Sequence, residues 1–112
     1  MLSKAMVAAS TKPMILSILL GGEDYGYRIL QRVKEMSGGA MTWSDNMLYP
    51  FLKRLEDDGF LAGRWQLSEE GRLRKYYRLT EAGRQELDVE RRQWIQVNGA
   101  LSRLWKPLPS LD

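Results

Sequence analysis

The chain has 112 residues, with 17 lysines and arginines, 14 aspartates and glutamates, and neither histidine nor cysteine. That length holds one domain around one core, with roughly two-thirds of the unfolded surface removed from water on folding, and leaves no room for a second, catalytic domain. The missing His and Cys remove the usual metal ligands, the commonest general base and the thiol nucleophile, so neither enzymatic chemistry nor a cofactor is expected.

A net charge of +3 is too small to argue for a nucleic-acid partner by itself. Its distribution says more. Four of the seven residues from Arg72 to Arg78 are basic and none is acidic, while Glu56-Asp57-Asp58 and Glu69-Glu70 carry negative charge elsewhere. The apolar run from Met14 to Leu20 is closed by Gly21-Gly22-Glu23-Asp24, well short of the ~20 residues of a membrane span, so no membrane association is expected. Met1 to Ala5 lacks the layout of a secretory signal and no disulfide framework exists, which makes a reducing cytoplasm the expected compartment.

Met14, Ile15, Ile18 and Leu19 fall at helical spacing. Either Ser10 or Thr11 caps this helix with Pro13 in its first turn, or a longer helix starts near Ser3 and kinks at Pro13; the sequence admits both. Asp24 is placed to cap a second helix running to Ser37, in which Tyr27, Leu30, Val33 and Lys34 recur at helical steps, with Tyr27 expected in the core. Gly38-Gly39 ends it. A third helix begins near Thr42 or Ser44, carries the apolar stripe Leu48, Phe51, Leu52 and Leu55, and closes at Asp58-Gly59.

Beyond Gly59 the period changes to two, with Leu61, Trp65 and Leu67 on one face and Ala62, Arg64 and Gln66 on the other. After the turn Ser68-Glu69-Glu70-Gly71, the run from Lys75 to Leu79 alternates again with Tyr77 and Leu79 inward, completing a β-hairpin. Thr80-Glu81-Ala82-Gly83 then restarts helix, along which Leu87, Trp94, Val97, Leu101 and Leu104 form a heptad-like seam interrupted by Glu90, until Pro107 and Pro109 end it. A chain this short cannot cover both that seam and the first three helices, so a homodimer through those five residues is expected. Gly99 weakens the helix by about 1 kcal/mol relative to Ala, so some use of the space it leaves is also expected.

Helix, short turn, helix and hairpin is the order of a winged helix-turn-helix, an α+β fold that is mainly α. The expected organisation is a DNA-binding unit over residues 1–79, a dimerisation helix over 80–106 and a tail over 107–112. In such a module the third helix presents its N-terminal residues to base edges while the hairpin lies on phosphate or in the minor groove. Thr42, Ser44, Asn46 and Tyr49 are the candidates at the helix start, Arg72, Arg74, Lys75 and Tyr76 those on the wing, with Tyr25 and Lys53 beside them. Arg74 and Lys75 have no acidic neighbour in sequence and are read as free to meet phosphate. Each feature also has a plainer reading: Ser44 and Asn46 suit helix starts as caps, and a basic hairpin tip is often only a solvated surface.

The segment Leu48-Tyr49-Pro50-Phe51-Leu52-Lys53-Arg54-Leu55-Glu56 with Asp58-Gly59, and Gly71-Arg72-Leu73-Arg74-Lys75-Tyr76-Tyr77-Arg78-Leu79-Thr80-Glu81-Ala82-Gly83, resemble the PadR family of transcriptional regulators. Tyr25-Gly26-Tyr27 resembles the family's start of the second helix, and the likeness runs from about Met14 to Leu104. It implies a dimeric winged helix that represses genes until a signal releases it, with DNA contacts over Thr42 to Tyr49 and Arg72 to Tyr76. Leu73 departs from the pattern, standing where many relatives have Pro or a cation. The short C-terminus is similar to the family's smaller branch, where Trp94 matches the interface tryptophan of a multidrug-binding member. A planar aromatic or cationic inducer at Trp94 is therefore one expectation, and a simply packed seam tryptophan is the other. The rival to a DNA-binding repressor is a winged-helix module that binds protein and no DNA.

Overall fold

The computed structural model describes residues 2–106. Helix α1 spans Lys4–Leu20, and Ser3 caps it by accepting from the Met6 N–H, so the longer of the two expected first helices forms. Pro13 lies inside it and forgoes the bond to the Ala9 carbonyl. That loss is offset by burial of Ile15, Leu16, Ile18 and Leu19. Thr11, one of the alternative caps, is instead buried and donates its hydroxyl to the Val7 carbonyl at 2.7 Å.

Strand β1 (Asp24–Tyr25) precedes α2 (Gly26–Met36). Asp24 does not cap α2. It pairs in the sheet opposite Tyr77, and its buried carboxylate faces Arg28 at 3.6 Å and Arg32 at 3.8 Å. The buried stripe of α2 is Gly26, Ile29 and Val33. Tyr27, expected in the core, lies about 100° round the helix from Gly26 and about 200° from Ile29, and is 60% exposed. Gly38 and Gly39, at φ 62° and 86°, take the left-handed conformation that ends the helix.

Helix α3 (Asp45–Asp57) buries Leu48, Leu52 and Leu55, with Ser44 as its cap. Strands β2 (Leu61–Leu67) and β3 (Leu73–Leu79) pair antiparallel from Leu61 opposite Leu79 to Leu67 opposite Leu73, and the sheet order is β1-β3-β2. The hairpin is longer than the alternation from Lys75 suggested. Its turn is closed by the Ser68 N–H donating to the Arg72 carbonyl at 2.7 Å, with Gly71 at φ 81°.

Helix α4 runs over Glu81–Trp105. Thr80 caps it by accepting from the Gly83 N–H at 3.0 Å while donating to the Gly59 carbonyl at 2.6 Å, which ties the end of α3 to the start of α4. Pro107, Pro109 and the expected tail lie outside the described residues. Leu87 is buried in the same core as Ile15, Leu48, Leu61 and Tyr77, so it belongs to packing within the chain and not to a free seam. The reason is position: it sits in the second turn of α4, where the helix still lies over α1 and the sheet. Past that turn the helix projects. The radius of gyration is 16.5 Å, against the about 13 Å of a compact chain this long. No helix among the described residues is long and apolar enough to cross a membrane.

Candidate nucleic-acid interface

At the start of α3 the polar groups divide by task. The Ser44 hydroxyl accepts from the Met47 N–H at 3.2 Å and is thereby occupied as a cap. Asn46 is exposed in the first turn and free of that duty, and Thr42 is exposed in the loop before it. Tyr49 reaches back over the start of α2, where a Cβ on Gly26 would sit 2.6 Å from its hydroxyl oxygen. Gly26 is thus required for the tyrosine's position. Burial, and then the neighbouring Asp45, push the Tyr49 phenol above its ordinary pKa, so it stays a neutral donor near the positive end of α3. Lys53, two turns along, is exposed and faces Asp57 at 3.4 Å.

The pleat of the hairpin separates its cations. Opposed residues share a face, so Lys75 and Tyr77 lie with Trp65 and Gly63, whereas Arg74, Tyr76 and Arg78 lie with Arg64 and Gln66 on the reverse. On that reverse face the Arg74 guanidinium rests 4.5 Å over the Tyr25 ring and 3.9 Å from Glu70. Tyr25 meets Tyr76 edge to face at 5.3 Å, and Arg64 lies 5.1 Å over Tyr76 while pairing with Glu23. In this hydrogen-bonded pair Glu23 raises the pKa of Arg64, and Arg64 lowers that of Glu23. Neither Lys75 nor Arg74 is the free cation expected from the sequence: the Lys75 ammonium is 2.7 Å from Glu56 of α3, and Arg74 pairs with Glu70, four residues back in the chain and brought close by the hairpin turn. Arg72 is exposed at the tip and forms no ion pair among the described residues.

Tyr25, Tyr49, Trp65, Arg72, Arg74 and Lys75 line one cleft of about 480 Å³ between wing and helices, with no carboxylate in its lining. Tyr76 backs it through Tyr25. Thr42, Ser44, Asn46 and Lys53 fall outside it, Thr42 lining a separate cleft with Trp43 and Tyr27. Sequence reasoning missed Glu23, Glu56, Arg64 and Gly26. Of these, Arg64 was available from the alternation, which set it on the face opposite Leu61.

A second feature lies on α4. Val97 and Leu104 are exposed, Trp94 and Leu101 half-buried, and Ile95 and Trp105 are exposed beside them. Trp94 lines a mostly apolar cleft of about 480 Å³ with Met14, Ile18, Val33 and Met36, with Arg32 and Arg91 as its cations. A Cβ at Gly99 would meet only the Arg103 guanidinium, at 3.4 Å, so among the described residues only that flexible side chain approaches the space the glycine leaves.

Residues 15–89 match the model of the transcriptional regulator PadR-like family. A negative transcriptional regulator PadR of Bacillus subtilis is 38% identical over 76 residues, which are 68% of this chain and 42% of that protein, so the chain spans less than half its length. A transcriptional regulator of Mycobacterium tuberculosis is 44% identical over 84 residues, covering 75% of each chain. Among solved structures, a PadR-like regulator from Bacillus cereus superposes with a TM-score of 0.82 at 25% identity, over 94% of this chain and 100% of that one. A Streptococcus mutans protein gives 0.79 at 30% identity, over 94% of both. The Bacillus subtilis, Mycobacterium tuberculosis and Bacillus cereus proteins are named as regulators of transcription, a non-enzymatic role. With a family model covering most of the chain, a relative 44% identical and the same fold throughout, this chain belongs to the PadR-like family of transcriptional regulators.

Proposed function

We propose that the chain is a sequence-specific DNA-binding repressor that acts in the cytoplasm as a homodimer on a two-fold related operator, residues 1–79 carrying the DNA contacts and 80–106 the dimer contacts. The observation that carries the reading is the carboxylate-free cleft at the α2 N-terminus, where Arg74 stands over Tyr25 and Arg72 and Tyr49 share the lining. Phosphate there meets two guanidinium groups and the positive end of a helix, while Asn46 has a free amide for a base edge. Arg74 held over an aromatic ring is partly pre-ordered, which lowers the entropy cost of engaging phosphate.

Release by a small molecule is part of the proposal, with Trp94 as its contact. The cleft beside Trp94 is mostly apolar and has guanidinium groups but no carboxylate in its lining, which favours neutral or anionic planar molecules over cationic ones. The test of the main reading is selection of duplexes from a randomised library by the purified protein, followed by titration across salt. Arg72→Ala and Arg74→Ala are each expected to weaken binding and make log affinity against log salt shallower by about 1 per subunit. If no duplex is retained, and a protein partner is captured stably instead, the winged-helix interaction module is the better reading.

A further inference from the structure

We infer that the Lys75–Glu56 ion pair, crossing Gly63, is a strut that sets the wing against α3, so that Lys75 serves DNA binding as a positioning residue and not as a phosphate ligand; the inference rests on the DNA-binding reading above. The pleat decides the direction first. Lys75 shares its face with Tyr77 and Leu79, both buried, and therefore points toward the helices and away from the cations of the reverse face. Its ammonium meets Glu56 at 2.7 Å and lies 5.9 Å from the Trp65 ring centroid and 5.3 Å from that of Tyr77. The hydrogen bond to Glu56 is the main cause that raises its pKa, so the ammonium stays charged throughout the physiological range.

Gly63 is what lets the strut form. It stands opposite Tyr77 on β2, and a Cβ there would lie 2.8 Å from Glu56 Oε2 and press on Lys75 Cε. Both obstructed atoms are ends of flexible side chains, so a methyl group at this position displaces the ion pair rather than the backbone. The two side chains are each 28% exposed, which screens their attraction less than at an open surface.

Leverage gives the contact its consequence. The hairpin is rooted in the core by Leu61 and Leu79, but Trp65, Leu67 and Leu73 are all more than 60% exposed, so its outer half has little packing to hold it. Lys75 is four residues from Leu79, about 13 Å along the strand. It ties the wing at that point to α3, just short of the tip that carries Arg72 and Arg74. To reach phosphate it would have to leave Glu56, and the exchange of one anion for another returns little.

The test uses the full chain and a duplex selected with the unmodified protein. Glu56→Gln, Lys75→Met and Gly63→Ala are each expected to lower affinity on the order of tenfold, the size of a coupled contact, with the salt slope unchanged. The charge swap of Glu56→Lys with Lys75→Glu is expected to recover most of the affinity that either change loses alone. A salt slope that falls in Lys75→Met as it does in Arg72→Ala overturns the inference, as does a swap no better than Lys75→Glu, or unchanged affinity in all three single variants. Melting curves check that each variant folds. Should the swap not fold, Glu56→Gln combined with Lys75→Met replaces it: a double variant no weaker than either single one supports the strut, and additive losses refute it. If the unmodified protein retains no duplex while folded, the DNA-binding reading fails and this inference with it, whereas failure of the strut alone leaves wild-type binding intact.

Discussion

Gly83 shows how one missing methyl group holds two elements together. A Cβ there would press on the Phe60 carbonyl and lie 2.7 Å from Leu79 Cδ1. Neither can yield, because the Phe60 carbonyl accepts from the Thr80 N–H at 3.1 Å and Leu79 is buried in the core. Gly83→Ala is expected to cost about 2 kcal/mol or more in urea denaturation, as overpacking against backbone does. Two neighbours at the start of α3 separate stability from recognition. Ser44→Ala removes a cap and is expected to cost about 1 kcal/mol while leaving base preference unchanged. Asn46→Ala touches no cap and is expected to stay within about 0.5 kcal/mol of wild type yet to broaden the selected sequences. A reversed pattern in the two variants would exchange their roles.

Beyond the apolar packing at Leu87, one cation makes the ion pairs between α1 and α4 among the described residues. Lys12 of α1 lies 2.6 Å from Glu86 and 3.3 Å from Glu90, with its ammonium 5.7 Å over the Phe60 ring. This accounts for the acidic break in the seam of α4: Glu90 faces α1 there and not a partner helix. The hydrogen bond to Glu86 raises the Lys12 pKa above 10.5, overcoming the opposing effect of desolvation. A group raised on folding stabilises fully below its unfolded value and loses that contribution as pH rises through the higher folded value. Stability is therefore expected to fall above pH 10.5 more steeply in the wild type than in Lys12→Met, which lacks the titrating group. Denaturation of both proteins on either side of that pH checks it, and parallel curves would place the alkaline sensitivity elsewhere.

The molecule as a whole leaves its last helix half used. After Leu87 the described apolar residues of α4 are partly or largely exposed, and a 25-residue helix is about 37 Å long, far longer than the core beneath it. A second copy is the proposed cover, with Trp94, Val97, Leu101 and Leu104 as contacts. Replacing Leu101 and Leu104 with glutamate is expected to leave little dimer at micromolar concentration by sedimentation, with the monomer's helical content retained because neither side chain is in the core. An undiminished dimer would locate the interface on another face. For the Trp94 cleft, neutral or anionic planar dyes are expected to quench fluorescence in the wild type and much less in Trp94→Ala, a control made necessary by Trp43, Trp65 and Trp105. Quenching that persists undiminished in the variant, or no dye binding at all, would remove the ligand site while leaving repression by DNA binding untouched.

What the sequence determined by itself is the part of the molecule governed by local rules. Periodicity and turn chemistry placed three of the four helices and the hairpin, because a helix cap, a Gly-Gly stop and an alternating strand are settled within a few residues. Even the first helix was one of two that the sequence admits, and the segments proposed to face DNA were marked by composition and by family resemblance. Only the tertiary structure decided what each cation meets. Lys75 and Arg74 are adjacent in the chain and alike in charge, yet one is bound to Glu56, 19 residues away, and the other lies over Tyr25 and beside Glu70 on the opposite face. Leu87 and Leu104 share a seam in one dimension, yet the first is buried beneath α1 and the sheet and the second stands beyond them. Tyr27 has the spacing of a core residue, and the packing of α2 turned it outward. In each case the deciding energy comes from groups distant in sequence, whose meeting depends on how the helices and sheet pack and which no local pattern encodes.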